Sequence, residues 1–341
     1  MLFFRNDYGN GAHPAILDAL CKTNEELVVG YGTDPYCQKA ADAIRQLCQC
    51  PQADVHFLVG GTQVNKTAIG AFLRSWEAVI TADTGHIQSH EAGAIEHNGH
   101  RLMLISTPDG KMRPEQIEKL CRTYQQDETS AEPKIVYISN TTELGTVYYA
   151  EELQALRAVC DKWGLYLYCD GARLASAMAV SGTDFADYAA CCHAFTIGGT
   201  KNGLLFGEAL VITEPALMPS FRRCMKQQGA MLAKGWLLGV QFCAALENDL
   251  YLKLAQKALE NARLLREGLS SMGIPMLIDS PSNQIFPVLS NTVIEKLEES
   301  VSFEHWSAVS DTHSCIRFVT AWHTSKEEVE GLLNLLGQLI S

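Results

Sequence analysis

Lys201 lies in Gly198-Gly199-Thr200-Lys201-Asn202-Gly203, between two strand-like apolar segments. A solvated surface lysine needs no such frame. A lysine forms an imine with a carbonyl when its amine is neutral, and burial lowers its pKa toward that state. Glycines on either side let the backbone turn closely around a bulky ring. Asp170 ends another apolar segment and is followed by Gly171-Ala172-Arg173. A carboxylate there can hold a proton on a heteroaromatic ring nitrogen and so increase the ring's pull on electrons. His86, in "DTGHIQSHEAGA", belongs to the residue type that stacks on a planar ring or relays a proton, and His90 and Glu91 follow one turn later. Gly60-Gly61-Thr62 precedes a helix-like stretch and offers bare backbone N–H groups that suit a phosphate. Arg317, within "CIRFVTAW", is costly in an apolar strand unless it meets an anion, and a substrate carboxylate is one such anion.

Each residue taken alone has a plainer reading. Lys201 can be an exposed loop lysine, Asp170 and Thr62 can be helix N-caps, His86 can be structural, and Arg317 can pair with an internal Asp or Glu. Taken together, a phosphate cradle, an aspartate for a ring nitrogen, a ring-stacking histidine and an imine-forming lysine describe a pyridoxal 5′-phosphate site. The chain lacks both G-x-G-x-x-G and G-x-x-x-x-G-K-[ST], which disfavours a dinucleotide-dependent dehydrogenase and a P-loop enzyme. Cys48-Gln49-Cys50 and Cys191-Cys192 have no second pair at zinc-like spacing, and the His86, His90, Glu91 group shows no further ligand, so no metal site is expected.

The elements that must position these residues alternate. Strands are expected at 55–60, 78–81, 101–105, 134–139, 165–170 and 194–198, and helices at 62–73, 113–127 and 150–164. This alternation implies a mostly parallel sheet covered by helices. In such a sheet ligands bind beyond the carboxyl ends of the strands, so Gly61, Thr62, Asp83, His86, His90, Glu91, Asn140, Asp170, Arg173, Thr200 and Lys201 converge on one mouth. Beyond residue 213 the pattern changes. Residues 229–271 read as two long helices broken near Asn248-Asp249, and 272–341 as three short strands with a last helix at 325–340. The expected organisation is an N-terminal segment (1–30) packing on the rest, a large domain (31–248), and a small C-terminal α+β domain (249–341).

The 341 residues are enough for one large and one smaller core. A formal net charge of −12 argues against a nucleic-acid partner and against an anionic membrane. No apolar run reaches the length of a membrane span, and "MLFFRNDYGNGAHP" has neither a basic start nor an apolar core of a signal peptide. The twelve cysteines are scattered through apolar patterns, where free cysteine behaves as a small hydrophobe. A soluble, cytoplasmic protein is expected.

The stretches "GYGTDPY", "VHFLVGGTQVN", "ADTGHIQSHEAGAIE", "VYISNTTELGTVY", "CDGARL", "IGGTKNGLLFGEALVI" and "QIFPVL" resemble the threonine aldolase branch of the β-eliminating lyases, from Arg5-Asn6-Asp7 to the Arg317 strand. The resemblance implies the PLP-dependent transferase fold of type I. It implies that Lys201 binds the cofactor covalently, that Asp170 pairs with the pyridine nitrogen and that His86 stacks on the ring. It assigns the phosphate to Gly61, Thr62 and Thr200, with Lys234 near the phosphate of a neighbouring subunit. It places Arg173 near the ring hydroxyl and the substrate carboxylate, which Arg317 and the Asn6 region clamp. It further implies a homodimer or homotetramer with shared active sites.

The implied reaction is aldol cleavage of a small amino acid with a β-hydroxyl, threonine or allo-threonine, to glycine and acetaldehyde. β-Elimination or racemisation on the same cofactor is the nearest alternative, and a non-catalytic PLP-binding protein a further one. This chain departs from the usual family pattern at Asn6, at His90 and in "SNTTELGT", where the family often supplies a histidine. That leaves two acceptors for the hydroxyl proton, His90 directly or His86 through a water.

Overall fold

The computed structural model describes residues 1–124 and 127–340. Its centre is a seven-stranded sheet in the spatial order Asp54–Leu58, Glu208–Ile212, Ala194–Gly198, Tyr166–Asp170, Glu132–Ser139, Glu77–Ala82, Leu102–Ile105. Only Glu208–Ile212 runs antiparallel to its neighbours, so the other six carboxyl ends point the same way. Side chains alternate across the sheet, and both faces are apolar. Ile80, Val136, Leu167 and Phe195 enter one core, while Val79, Ile135, Tyr168 and Leu210 enter the other. Burial on both faces is why these strands read as near-continuous apolar runs. The expected α/β architecture is the observed one.

The helices Gly61–Phe72, Pro114–Tyr124 and Ala150–Trp163 agree with expectation to within a few residues. The predicted extension of the second to residue 127 falls partly on residues 125–126, which lie outside the described residues, and Asp127 is already beyond the helix. The first long helix of the 229–271 stretch begins only at Trp236. Gly229, at φ +70°, closes the preceding helix Phe221–Gln227, and 230–235 instead pack beside the 30–33 turn, with Tyr31 N–H donating to Ala233 O at 3.2 Å. The expected break is real: Asn248 and Asp249 both take left-handed φ, which short polar side chains tolerate. The helix Leu250–Ser271 follows.

A third core lies under the C-terminal strands and contains Leu265, Leu269, Ile285, Phe318, Leu332 and Leu336. The stretch "QIFPVL" is two strands, Gln284–Ile285 and Val288–Ser290, because Pro287 has no N–H for the ladder. Likewise "VSFEHW" divides at buried Phe303. Val301–Ser302 pairs in parallel with Leu2–Phe3, and Glu304–Ala308 pairs with His313–Val319. The N-terminal segment therefore touches both units. Phe4 is fully buried in the third core and its O accepts from Val319 N at 2.8 Å, while the helix Pro14–Thr23 sends Ile16 into the first.

Gly198 is required by close approach. A Cβ there would meet Ala172 O at 2.5 Å and Gly171 O at 2.6 Å, both rigid backbone atoms. Overpacking of this kind costs about 1–3 kcal/mol. We expect Gly198→Ala to lower the denaturant midpoint accordingly, while Gly11→Ala, with open space at its Cβ, leaves it unchanged.

Candidate active site

Five parallel strand ends deliver the site. Gly198 ends one strand, and the next turn folds back on itself, with Asn202 N and Leu204 N both donating to Gly199 O. Tyr251 Oη donates to Gly198 O at 2.9 Å and Asn202 Nδ2 to Tyr251 O at 2.7 Å, which ties the turn to the long helix below. Because Gly198 lies against the backbone of Gly171 and Ala172, Lys201 and Asp170 open into the same cleft. The cleft holds about 430 Å³. Gly60, Gly61, Thr62, His86, His90, Asp170, Arg173, Thr200, Lys201 and Arg317 all line it, together with Tyr8, Glu143, Glu208 and Glu304.

Asp170 is buried at the strand end. Its Oδ2 accepts from Tyr137 Oη at 2.7 Å and Asn65 Nδ2 at 2.8 Å, and its Oδ1 accepts from Ala172 N at 3.0 Å. Asn65 is itself held by Tyr168 Oη at 2.9 Å and shares its amide with Glu91 Oε1 at 2.9 Å. Three hydrogen bonds to the ionised form let a carboxylate persist in a buried place. Such a group can bind a ring N–H.

The N-cap of the Gly61–Phe72 helix is Gly60, not Thr62, and it makes no side-chain cap. Thr62 is thus inside the first turn. A Cβ at Gly60 or Gly61 would meet nothing within 4 Å, so the uncapped first turn borders open space in the cleft. That is the geometry an anion needs.

The Lys201 amine is pushed below the usual lysine range by burial and by the nearby Arg173 charge, against the pull of Asp7, Glu143 and Asp170. A depressed lysine is the one that attacks carbonyls near neutral pH. Burial opposes a charge on His86. The hydrogen bond from Nδ1 to Glu143 Oε1 at 3.0 Å and the Glu143 and Asp170 charges outweigh it, and the imidazole sits above its ordinary value. Burial would raise Glu143, but His86, Lys201 and Arg173 hold it well below the usual carboxylate range. His90 is exposed at the mouth with its ring 5.5 Å from that of His86.

Arg173 is buried, and its Nε and Nη2 contact Asp7 at 2.7 and 3.1 Å, a partner also held by Asn283 at 3.0 Å. Arg317 donates to Gln284 Oε1 at 3.2 Å and stacks over Trp306 at 5.1 Å, while its Nε has no protein partner. Two guanidinium groups at one wall suit a carboxylate. Asn6 is not part of the lining; its Oδ1 accepts from Tyr8 N at 3.1 Å, and the neighbour Asp7 makes the ion pair instead. Lys234 is also outside the cleft, exposed beside the 27–31 segment, where Leu27, Val29 and Tyr31 are exposed apolar residues. Sequence reasoning did not single out Asn65, Tyr137, Glu143 or Glu208. A buried polar position within an apolar run signals Asn65, Tyr137 and Glu208; nothing in the sequence signals Glu143.

Among the described residues, no group of three His, Cys, Asp or Glu side chains is placed to hold a metal ion. The donor set suits pyridoxal 5′-phosphate: an open helix N-terminus for the phosphate, a carboxylate for the pyridine nitrogen and a depressed lysine for the aldehyde.

Glu208 is pushed up to about 8, by burial first and by the Asp170 charge, against Thr200, Lys201 and Gly199 N. In the folded protein it stays protonated where the unfolded chain has ionised it. Stability from this group is therefore present at acid pH and lost progressively as pH rises from about 4.5 toward 8. We expect the melting temperature of cofactor-free Glu208→Gln to gain on wild type steadily over that interval. Parallel melting curves across it would show that Glu208 does not carry this linkage.

The family model for beta-eliminating lyases matches residues 4–292. A low specificity L-threonine aldolase of Pseudomonas aeruginosa is 32% identical over 334 residues, covering 96% of this chain and 95% of that protein. A threonine aldolase structure from Leishmania major superposes with a TM-score of 0.98 at 43% identity, covering all of both chains. An aspartate aminotransferase structure from Thermus thermophilus, 14% identical with a TM-score of 0.72 over 99% of this chain and 91% of its own, shares the fold, that of the type I PLP enzymes. With the family model spanning most of its length and these full-length relatives beside it, this chain belongs to the beta-eliminating lyase family.

Proposed function

We propose that this enzyme cleaves the Cα–Cβ bond of β-hydroxy-α-amino acids, threonine and allo-threonine among them, to glycine and an aldehyde. It is a PLP-dependent lyase. The observation that carries this reading is the convergence of Lys201, Asp170, the open N-terminus at Gly61 and two arginines on one cleft. The threonine aldolases to which the chain is similar at full length support it over elimination or racemisation.

When bound, the cofactor supplies an electron sink for the bond broken at Cα. Lys201 is the residue to bind its aldehyde carbon. Asp170, fixed by Tyr137 and Asn65, would keep the pyridine nitrogen protonated. Gly61, Thr62 and Thr200 would hold the phosphate and His86 would lie on the ring face. Arg317, with Arg173, would orient the substrate carboxylate and so select which Cα bond stands perpendicular to the ring.

We also read the chain as a large domain (31–248) and a small one (249–341), with 1–30 crossing both. The third core, separate from the two on the faces of the large sheet, supports this division, while Tyr251 and Ala255 pack into the first. A reducing compartment, the cytoplasm, is our reading from the free cysteines, nine of which are buried. No helix among the described residues is long and apolar enough to cross a membrane. Self-association into a dimer or tetramer is supported by the exposed Leu27, Val29 and Tyr31 beside Lys234, a residue then available to a neighbour's phosphate.

Incubation of the PLP-loaded protein with L-threonine and L-allo-threonine should yield acetaldehyde and glycine in equal amounts. 2-Oxobutanoate with ammonia would mean elimination and overturn the aldol reading while sparing the cofactor site. Lys201→Ala should lose the visible absorption of the bound cofactor; a band that survives gel filtration in that variant would refute Lys201 as the attachment point. Light scattering should give the mass of two or four chains.

A further inference from the structure

We propose that Glu143 and His86 act as one acid–base pair, and that the Glu143 carboxylate takes the β-hydroxyl proton of the substrate. The inference rests on the aldol reading above and names the proton acceptor for that reaction. Three observations carry it.

The first is placement. Glu143 is 9% exposed yet lines the cleft that Lys201 and Arg317 also line. Its loop is held on both sides. Asn140 Nδ2 donates to Tyr188 Oη at 2.7 Å, Tyr148 N donates to Asn140 Oδ1 at 3.1 Å, and Gln284 Nε2 donates to Thr142 O at 3.2 Å. A carboxylate carried by a loop tied to both the sheet and the C-terminal unit is a positioned group rather than a solvated one.

The second is pairing. Glu143 Oε1 lies 3.0 Å from His86 Nδ1. One carboxylate oxygen and the imidazole thus form a proton-sharing unit, leaving the second oxygen for a ligand. His86 Nε2 is 3.9 Å from Glu91 Oε1, and Asp170 and Lys201 also bear on the ring, so it sits in a mixed field. Lys201 and Arg173 add positive charge around Glu143 and keep it ionised.

The third concerns the alternative. His90 lies exposed at the mouth, and its ring packs on His86. The His86–Glu143 pair is the more enclosed of the two, with Glu143 almost fully buried.

The step balances as follows. The substrate O–H bond breaks and its proton passes to the second oxygen of Glu143, while Oε1 keeps the hydrogen bond from the Nδ1–H of neutral His86. The O–H electron pair becomes the second bond of the aldehyde carbonyl as the Cα–Cβ bond breaks toward the electron sink that bound cofactor would supply. Glu143 returns its proton to solvent, and Cα takes one proton from solvent to complete glycine, so no net proton is gained or lost. The active form has Glu143 ionised and His86 uncharged, so cleavage falls on the acid side as His86 takes a proton. Glu143 raises the His86 pKa. Removing its charge therefore moves that acid limb to lower pH while removing the acceptor.

The test compares two reactions of the holoenzyme. Cleavage of L-threonine needs a hydroxyl-proton acceptor; exchange of the glycine α-proton with D₂O has no hydroxyl. Glu143→Gln should lose about 10²–10⁴ in kcat/KM for cleavage, the usual worth of a positioned acid–base group, and keep glycine exchange near the wild-type rate. Its His86 resonance, followed by NMR, should titrate at lower pH than in wild type, with or without cofactor. Glu143→Asp should recover part of the cleavage and exchange glycine at the same rate as the Gln variant. Wild-type cleavage in Glu143→Gln overturns the proposal. So does an equal fall of cleavage and exchange, which would make Glu143 a support for His86 only. Should the Gln variant fail to fold, the same ratio of cleavage to exchange in the Asp variant decides. A wild-type protein that exchanges glycine but does not cleave threonine removes the aldol reading itself, whatever the variants do.

Discussion

Asp170 is the constraint around which the cleft is arranged, because a carboxylate 4% exposed at a strand end must be satisfied from the protein side. Its three hydrogen bonds come from three places. Ala172 N belongs to its own turn, Tyr137 to the neighbouring strand and Asn65 to the helix that starts at the phosphate-like end. The strand register sets Ser139 opposite Asp170, and Tyr137 and Tyr168 face the same side of the sheet with rings 5.7 Å apart. A slip of one residue between the two strands would put the Tyr137 hydroxyl and Asp170 on opposite faces and break their hydrogen bond.

The same logic of buried charge extends across the cleft. Arg173 and Asp7 form a buried pair whose disruption from one side costs about 3–5 kcal/mol. Asp7 reaches Arg173 because Phe4, three residues earlier, is anchored in the third core by its O···Val319 N bond. The N-terminal segment thus closes one wall of the site and ties it to the unit that carries Arg317. Lys201, Arg173 and Arg317 share one small volume with Asp7, Glu143, Asp170 and Glu208. The depressed lysine and the raised Glu208 are two outcomes of that crowding.

That Lys201, Asp170, His86, Gly61 and Thr62 share one cleft was legible because each follows a recognisable strand, and strand ends converge by topology. Arg317 was legible because a charge in an apolar strand demands an explanation. Glu143 was hidden in a loop that shows only "NTTELGT", with nothing in its spacing to aim it at His86. Asn65 sits mid-helix among apolar residues and looks like any buried amide until Asp170 and Glu91 are seen on either side of it. Asn6 and Lys234 came from resemblance alone. The single chain shows the first turned toward Tyr8 and the second exposed at the surface.

The sequence by itself determined the alternating α/β order, the apolar runs of a sheet buried on both faces, and the turn chemistry at Gly198 and at Asn248-Asp249. These are local matters of periodicity and backbone freedom. Only the tertiary structure decided which charges face one another. Glu143 and His86 are 57 residues apart, Asp7 and Arg173 are 166 apart, and Asn65 and Asp170 are 105 apart. Electrostatic coupling depends on distance in space and on the exclusion of water, and neither is written in the order of residues along the chain.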